Sequence, residues 1–173
     1  AREYERGTLE SLFVTPVGSG EILTAKAATN FLLGMVSLAI SMIFAAFVFD
    51  IPIRGSLTLL LAVSALFLIV ALGLGLVIST ATKNQFLACQ FAIMGTFMPA
   101  LMLSGFLYDI LNMPPAVRAL TYMIPARYYV TLLQTLFLAG DIPSVIIPCC
   151  ITLGVFAVVL MGIARLKAPK SLE

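Results

Sequence analysis

Residues 5–16 hold the side chains best suited to binding another molecule. If they form a helix, Leu9, Leu12 and Phe13 fall at i, i+3 and i+4 and share one face. Pro16 prevents the helix from continuing. The pattern predicts a short, charged amphipathic helix that docks on a partner through its apolar face. A helix lying on lipid headgroups fits the same residues.

The sequence lacks the residue patterns of the common enzyme active sites. It contains no histidine, and we find no HExxH, no CxxC and no Gly-rich phosphate loop. Cys89, Cys149 and Cys150 lie in apolar runs, and an odd set of this kind gives no disulfide framework. We therefore predict that the chain is not an enzyme and binds no metal or cofactor itself.

Composition places the chain in a membrane. Hydrophobic residues make up 61% and charged residues 10% of the sequence, and the mean hydropathy is +1.11. Soluble domains carry about 25% charged residues. The net charge of +2, without a basic cluster, gives no support for nucleic-acid binding.

Uncharged runs of about 20 residues, the length needed to cross a bilayer, occur four times. We predict an all-α integral membrane protein with four transmembrane helices, a re-entrant or interfacial helix pair and an N-terminal amphipathic coupling helix. Residues 1–20 would form a cytoplasmic segment and residues 21–173 a transmembrane domain. The predicted spans are residues 27–49, 57–81, 86–107 and 142–164, with the helix pair at about 110–140.

Small residues recur every third or fourth position in three of the spans, which lets helices approach closely. The first span has a small, polar stripe that serves either packing or a substrate path. The other two have seams that predict close helix contacts, within the chain or in a dimer, and Pro99 predicts a kink. The stripe is Asn30, Gly34, Ser37 and Ser41; the seams are Ala71, Gly75 and Ser79, and Ala88, Ala92, Thr96, Ala100 and Ser104.

The stretch between the third and fourth spans contains two apolar runs of about 10 to 14 residues, too short to cross. Pro114 opens the first run, Pro125 interrupts, and Arg127-Tyr128 leads into the second. We predict two short helices that dip into one face of the membrane. Non-helical backbone at that depth requires protein or water around it.

The distribution of basic residues predicts the orientation. With four spans, seven of the ten Lys and Arg residues share the side of both termini, and three lie on the other. The positive-inside rule then places both termini in the cytoplasm. The cytoplasmic set is Arg2, Arg6, Lys26, Lys83, Arg165, Lys167 and Lys170; the opposite set is Arg54, Arg118 and Arg127.

None of the four predicted spans contains Asp, Glu, Lys, Arg or His. Ion- and proton-driven carriers usually keep an ionisable residue within the membrane. We therefore expect the driving energy to come from outside the bilayer, through the cytoplasmic helix at residues 5–16.

Two stretches resemble one family. The run from Glu5 to Pro16, with Gly7-Thr8, Glu10 and Thr15-Pro16, resembles the cytoplasmic coupling segment of type 2 ATP-binding-cassette (ABC) exporter permeases of the multidrug, daunorubicin-resistance-like branch. Residues 104–128 resemble that family's extracytoplasmic re-entrant hairpin. The matching hairpin residues are Ser104, Gly105, Met113, Pro114, Pro125, Arg127 and Tyr128.

The resemblance implies the C-terminal part of an exporter permease in the bacterial inner membrane, moving lipophilic drugs or lipids out of the cytoplasm. ATP and Mg would bind a separate cytoplasmic ATPase, and a second permease and membrane lipid would be further partners. The resemblance also allows a periplasmic adaptor. The alternatives are an ATPase-independent channel or carrier and a structural membrane subunit. The residues implied to dock the ATPase are Glu5, Arg6, Gly7, Thr8, Glu10, Leu12 and Phe13.

Overall fold

A computed structural model describes residues 19–48, 54–82 and 84–167. Within them, four helical segments are long and apolar enough to cross a membrane, which confirms the predicted all-α membrane protein with four spans. The predicted ATPase-docking residues, from Glu5 to Phe13, lie outside the described residues. The four segments are α1 (Ser19–Phe47), α2 (Leu57–Thr82), the third span (Gln85–Leu103) and α7 (Pro143–Lys167).

The third span is built from three consecutive pieces. Helix α3 (Gln85–Ala92) is followed by a π-helical turn (Ile93–Phe97) and by α4 (Met98–Leu103). Pro99 has no N–H, and its ring crowds the carbonyl four residues earlier, which lies inside this turn. The irregularity that Pro99 predicts therefore takes the form of a wider turn just before it.

Two short helices connect the third span to α7. They are α5 (Pro115–Thr121) and α6 (Pro125–Gln134), and a π-helical turn (Thr135–Ala139) extends α6. The third span ends at Leu103, four residues before the predicted end. Gly105 explains this difference, because its φ of +88° lies in the left-handed region that stops a helix.

Helices α2, α6 and α7 form the core. Its buried side chains are almost all aliphatic, and each is less than 10% exposed. At Gly73 of α2 an added Cβ would lie 2.9 Å from the Cβ of Leu160 in α7, so the two helices meet closely there. Gly73 lies outside the predicted seam of Ala71, Gly75 and Ser79. The core residues are Leu60, Val63, Val70, Leu132, Leu136, Ile146, Leu153 and Ala157.

Helix α1 and the third span are held less tightly. Among the described residues, neither contributes a buried side chain to the core. Contact of α1 with α2 includes Gly34, where an added Cβ would lie 2.9 Å from a terminal carbon of Leu68. Large apolar side chains on both spans, such as Phe44 and Phe91, remain more than half exposed. These outer faces suit lipid or further protein.

Three hydrogen bonds join the start of α2 to the end of the α6 extension. The Gly55 N–H donates to the Leu136 carbonyl at 2.8 Å, and the Ser56 N–H donates to Asp141 Oδ1 at 2.9 Å. Arg54 Nη1 donates to the Leu138 carbonyl at 3.2 Å. A carboxylate at a helix N-terminus also complements the helix dipole. We call residues 54–56 and 136–141 the polar junction.

Gly55 leaves no room for a side chain in the polar junction. An added Cβ would lie 2.9 Å from the Leu136 carbonyl oxygen and 3.0 Å from Asp141 Oδ1. We expect Gly55→Ala to destabilise the protein by about 1–3 kcal/mol, because a backbone oxygen cannot move aside without breaking the junction. The measurement is the thermal unfolding midpoint of the purified protein in detergent.

The control for this prediction is Gly162→Ala in α7. No atom of the described residues lies within 4 Å of a Cβ at Gly162, so this change meets no steric conflict. Equal unfolding midpoints for the two variants would contradict the role assigned to Gly55.

Candidate functional site

Arg127 closes the turn between α5 and α6. Its guanidinium carbon lies 3.9 Å from the centroid of the Tyr122 ring, a cation–π contact, and its Nη1 donates to the hydroxyl of Thr121. Thr121 is fully buried, and its hydroxyl donates to the Arg118 carbonyl at 2.8 Å. Arg127, one of the predicted hairpin residues, thus contacts both Thr121 at the end of α5 and Tyr122, which follows it.

Tyr128 and Tyr129, the next two residues of α6, fix the α5–α6 turn and attach α6 to α2. The Tyr128 hydroxyl donates to the Tyr122 carbonyl at 3.0 Å, so two successive side chains of α6 hold one turn. The Tyr129 ring stacks on Phe67 of α2, with centroids 4.2 Å apart and planes 2° apart. The hydroxyls of Tyr129 and the buried Ser64 lie 3.0 Å apart. The helix pair is therefore fixed on α2 by a hydrogen bond and a ring stack.

The remaining predicted hairpin residues occupy the ends of helices. Ser104 is buried where the third span ends, and Gly105 follows in the left-handed conformation. Pro114 precedes α5 and lines a shallow cavity of about 440 Å³ beside the end of the third span. Pro125 begins α6. The structure brings Pro125 into the cavity described below, so the predicted hairpin residues fall in different local environments.

Within the described residues, the predicted stripe of α1 is divided between a packed glycine and exposed polar side chains. Gly34 packs against Leu68, while Asn30, Ser37 and Ser41 are exposed. The Ser37 hydroxyl donates to the Leu33 carbonyl, and that of Ser41 donates to the Ser37 carbonyl. Such bonds to the preceding turn satisfy hydroxyls inside an apolar medium.

The two small-residue seams face a common cavity. This cavity has a volume of about 470 Å³ and lies between α2, the third span and the α5–α6 turn. Ala71 and Gly75 line it from α2, while Ala92, Thr96 and Ala100 line it from the third span. No atom of the described residues lies within 4 Å of a Cβ at Gly75. Within the described chain, these seam residues thus border open space, and contact of the seams in a dimer stays a prediction.

The walls of this cavity are almost entirely apolar. Thr96 supplies the one side-chain hydroxyl among the lining residues, and that hydroxyl donates to the Ala92 carbonyl. Met123, Ile124, Pro125 and Ala126 of the α5–α6 turn complete the lining. A volume of this size falls within the range of about 300–1,000 Å³ typical of small-molecule sites.

Sequence reasoning missed several residues on which this arrangement depends. Ser64 is an isolated hydroxyl in the apolar run of α2, which is a signal that its partner lies on another helix. Thr121 lies in no recognisable sequence motif that would have indicated its hydrogen bond with Arg127. The polar junction joins residues more than 80 positions apart, and no local sequence pattern predicts a contact at that separation.

Comparison with known proteins finds relatives that are named as membrane transport permeases. The chain is 46% identical over its full 173 residues to the probable multidrug ABC transporter permease YbhS of Escherichia coli K12, of which the match covers 46%. It is 31% identical over 141 residues, 80% of the chain, to the probable multidrug ABC transporter permease YbhR of the same strain, of which the match covers 37%. The inner membrane transport permease YhhJ, also from this strain, is 28% identical over 172 residues, or 99% of the chain and 46% of YhhJ.

The chain thus spans less than half the length of the curated relatives that it matches. No solved structure gives a significant match. A family profile described as ABC-2 type transporter matches residues 1–138. Four apolar spans, a short helix pair fixed on the second span and this match together establish that the chain belongs to the ABC-2 type transporter family.

Proposed function

We propose that this chain is part of the permease subunit of an ATP-driven exporter that moves lipophilic compounds out of the cytoplasm. The observation that carries the proposal is membership of the ABC-2 type transporter family, together with the similarity over the full chain to a probable multidrug ABC transporter permease. The same observations support a multi-pass location in the bacterial inner membrane. The excess of Lys and Arg on the side of both termini of this chain supports a cytoplasmic location for them. ATP and Mg would act on a separate ATPase, and two permeases would pair.

The chemistry of the spans supports an external source of energy. Residues 27–47, 57–82, 85–103 and 143–164 contain no Asp, Glu, Lys, Arg or His. A proton- or ion-driven carrier usually has such a residue within its spans, where it takes up and releases the driving ion. A permease that is driven by ATP hydrolysis on a partner protein does not need an ionisable residue within its spans.

The hydroxyls of the described spans count against a polar channel. Ser37, Ser41 and Thr96 all donate to carbonyls of their own helices. A hydroxyl that already donates its hydrogen in this way can still accept a hydrogen bond from a solute but has no free donor. An apolar cargo does not need their donors, which favours a lipophilic substrate.

Coupling to the ATPase is assigned to residues 5–13, on resemblance to the family's coupling segment. We expect the double variant Leu12→Asp, Phe13→Asp of the full-length permease to lose its ATPase, because two carboxylates on the apolar face would be desolvated in the partner's groove. The measurement is co-purification of the cytoplasmic ATPase with the tagged permease from detergent extracts.

Ser11→Asp is the matched control, since Ser11 points away from the face formed by Leu9, Leu12 and Phe13 in a helix. This variant should retain the ATPase. Undiminished association of the double variant, at equal membrane abundance, would remove the coupling role from this segment.

Arg127 should matter for transport more than for insertion. Arg127→Ala removes the cation–π contact with Tyr122, worth about 0.5–2 kcal/mol, and the hydrogen bond to Thr121. We expect a several-fold loss of ATP-driven uptake of a lipophilic dye into everted vesicles, with normal membrane abundance.

Arg118→Ala is the control for Arg127→Ala, because Arg118 is exposed and contacts Thr121 through its backbone carbonyl. This control should transport normally. Full dye uptake by Arg127→Ala vesicles would show that the Arg127 contacts in the α5–α6 turn contribute nothing to export.

A further inference from the structure

We infer that the 470 Å³ cavity between α2 and the third span is a binding site for the apolar chain or ring system of a lipophilic molecule that enters from the membrane. This inference deepens the proposed function and rests on it for the identity of the cargo. The cavity lies inside one permease chain, bounded by α2, the third span and the α5–α6 turn.

The first argument is access. Ala71, Gly75, Gly95 and Phe97 line the cavity and are exposed on the surface of the described chain. They belong to helices that are long and apolar enough to cross the membrane. On this proposal the opening between the two spans faces the acyl region of the bilayer, so a molecule dissolved in lipid reaches the cavity without crossing water.

The second argument is chemical selectivity. The lining carries no charged side chain, and the Thr96 hydroxyl already donates to the Ala92 carbonyl. A buried polar group of a ligand would find few partners here, and an unpaired one is costly. The site therefore accepts hydrocarbon or aromatic surface, while any polar head of the molecule stays at the opening.

The third argument is the shape of the walls. Glycines face the space from both sides, and no atom of the described residues lies within 4 Å of a Cβ at Gly75 or Gly95. Gly95 lies in the π-helical turn before Pro99. Both helices are therefore narrow where they border the cavity, and aliphatic or aromatic side chains such as Phe67, Leu74 and Ile78 supply the remaining contact surface.

The test is photolabelling of the full-length permease in vesicles of phosphatidylethanolamine and phosphatidylglycerol, without ATP. One arm uses a phospholipid with a diazirine in its acyl chain, and the other an uncharged diazirine-bearing aryl alkane. We expect mass spectrometry to find labels concentrated on residues 71–78 and 92–100 with at least one probe. The two arms distinguish a bound membrane lipid from a free lipophile, and either source satisfies the inference.

Gly75→Leu is the diagnostic variant because an added Cβ at Gly75 meets no neighbouring element of the described chain and the larger side chain takes up part of the cavity. It should reduce labelling of both segments at least fivefold. Gly162→Leu, at an equally open helical glycine of α7 away from the cavity, should leave the labelling unchanged. If Gly75→Leu fails to insert, Ala100→Leu on the opposite wall gives the same comparison.

Labelling that is uniform over the outer faces of the spans and insensitive to Gly75→Leu would overturn the inference. So would the absence of label from both segments because the part of the permease beyond this chain fills the space. Neither result bears on ATPase co-purification, so the inference fails separately from the proposed function. Conversely, loss of the ATPase assignment would leave a positive labelling result intact.

Discussion

The polar junction between the start of α2 and the end of the α6 extension is the contact on which the rest of the arrangement depends. Backbone N–H and C=O groups in an apolar medium need partners, and irregular segments between helices lack the partners that a helix supplies. Here residues 54–56 and 136–141 satisfy one another, with Gly55 donating to Leu136 and Ser56 to Asp141. Gly55 permits this approach because it has no side chain. The segment before α2 and the end of the α6 extension are thereby joined by three hydrogen bonds.

From this junction the packing divides the molecule into a compact part and a looser part. Helices α2, α6 and α7 share the buried core, and the Tyr129 contacts with Ser64 and Phe67 attach the helix pair to α2. Helix α1 and the third span lie against this unit without adding a fully buried side chain to the described core, although the partly buried Met42 of α1 packs against it. Weakly packed elements move at lower cost than densely packed ones, so α1 and the third span are the parts of the described chain that are easiest to displace.

The cavity lies at the boundary between these parts. One wall belongs to α2 of the compact unit, and the other to the third span, whose π-helical turn precedes Pro99. Turns of this kind often occur at functional sites, because they change the helix face presented to a neighbour. The α5–α6 turn, closed by Arg127 and Tyr128, completes the lining. Of the predicted hairpin residues, Pro125 borders this space, while Pro114 lines the separate cavity beside the end of the third span.

The sequence by itself determined the number of spans, because an uncharged apolar run of about 20 residues has the length needed to cross a bilayer. It also placed the two short helices, because Pro114, Pro125 and the lengths of the intervening runs are local properties. It identified Arg127, but it gave no indication of Thr121 as a hydrogen-bond partner. Such partners depend on how the chain turns, which short-range patterns describe poorly.

Tertiary structure decided what the repeated small residues do. A period of four predicts that Gly75 and Ala100 each lie on a narrow helix face, but the distance between the two faces depends on every other contact of both helices. Gly73 became a close contact with Leu160, while Gly75, two residues later, borders a cavity. The pairing of Ser56 with Asp141 was likewise fixed by the fold, because residues 85 positions apart meet only after the intervening spans have packed.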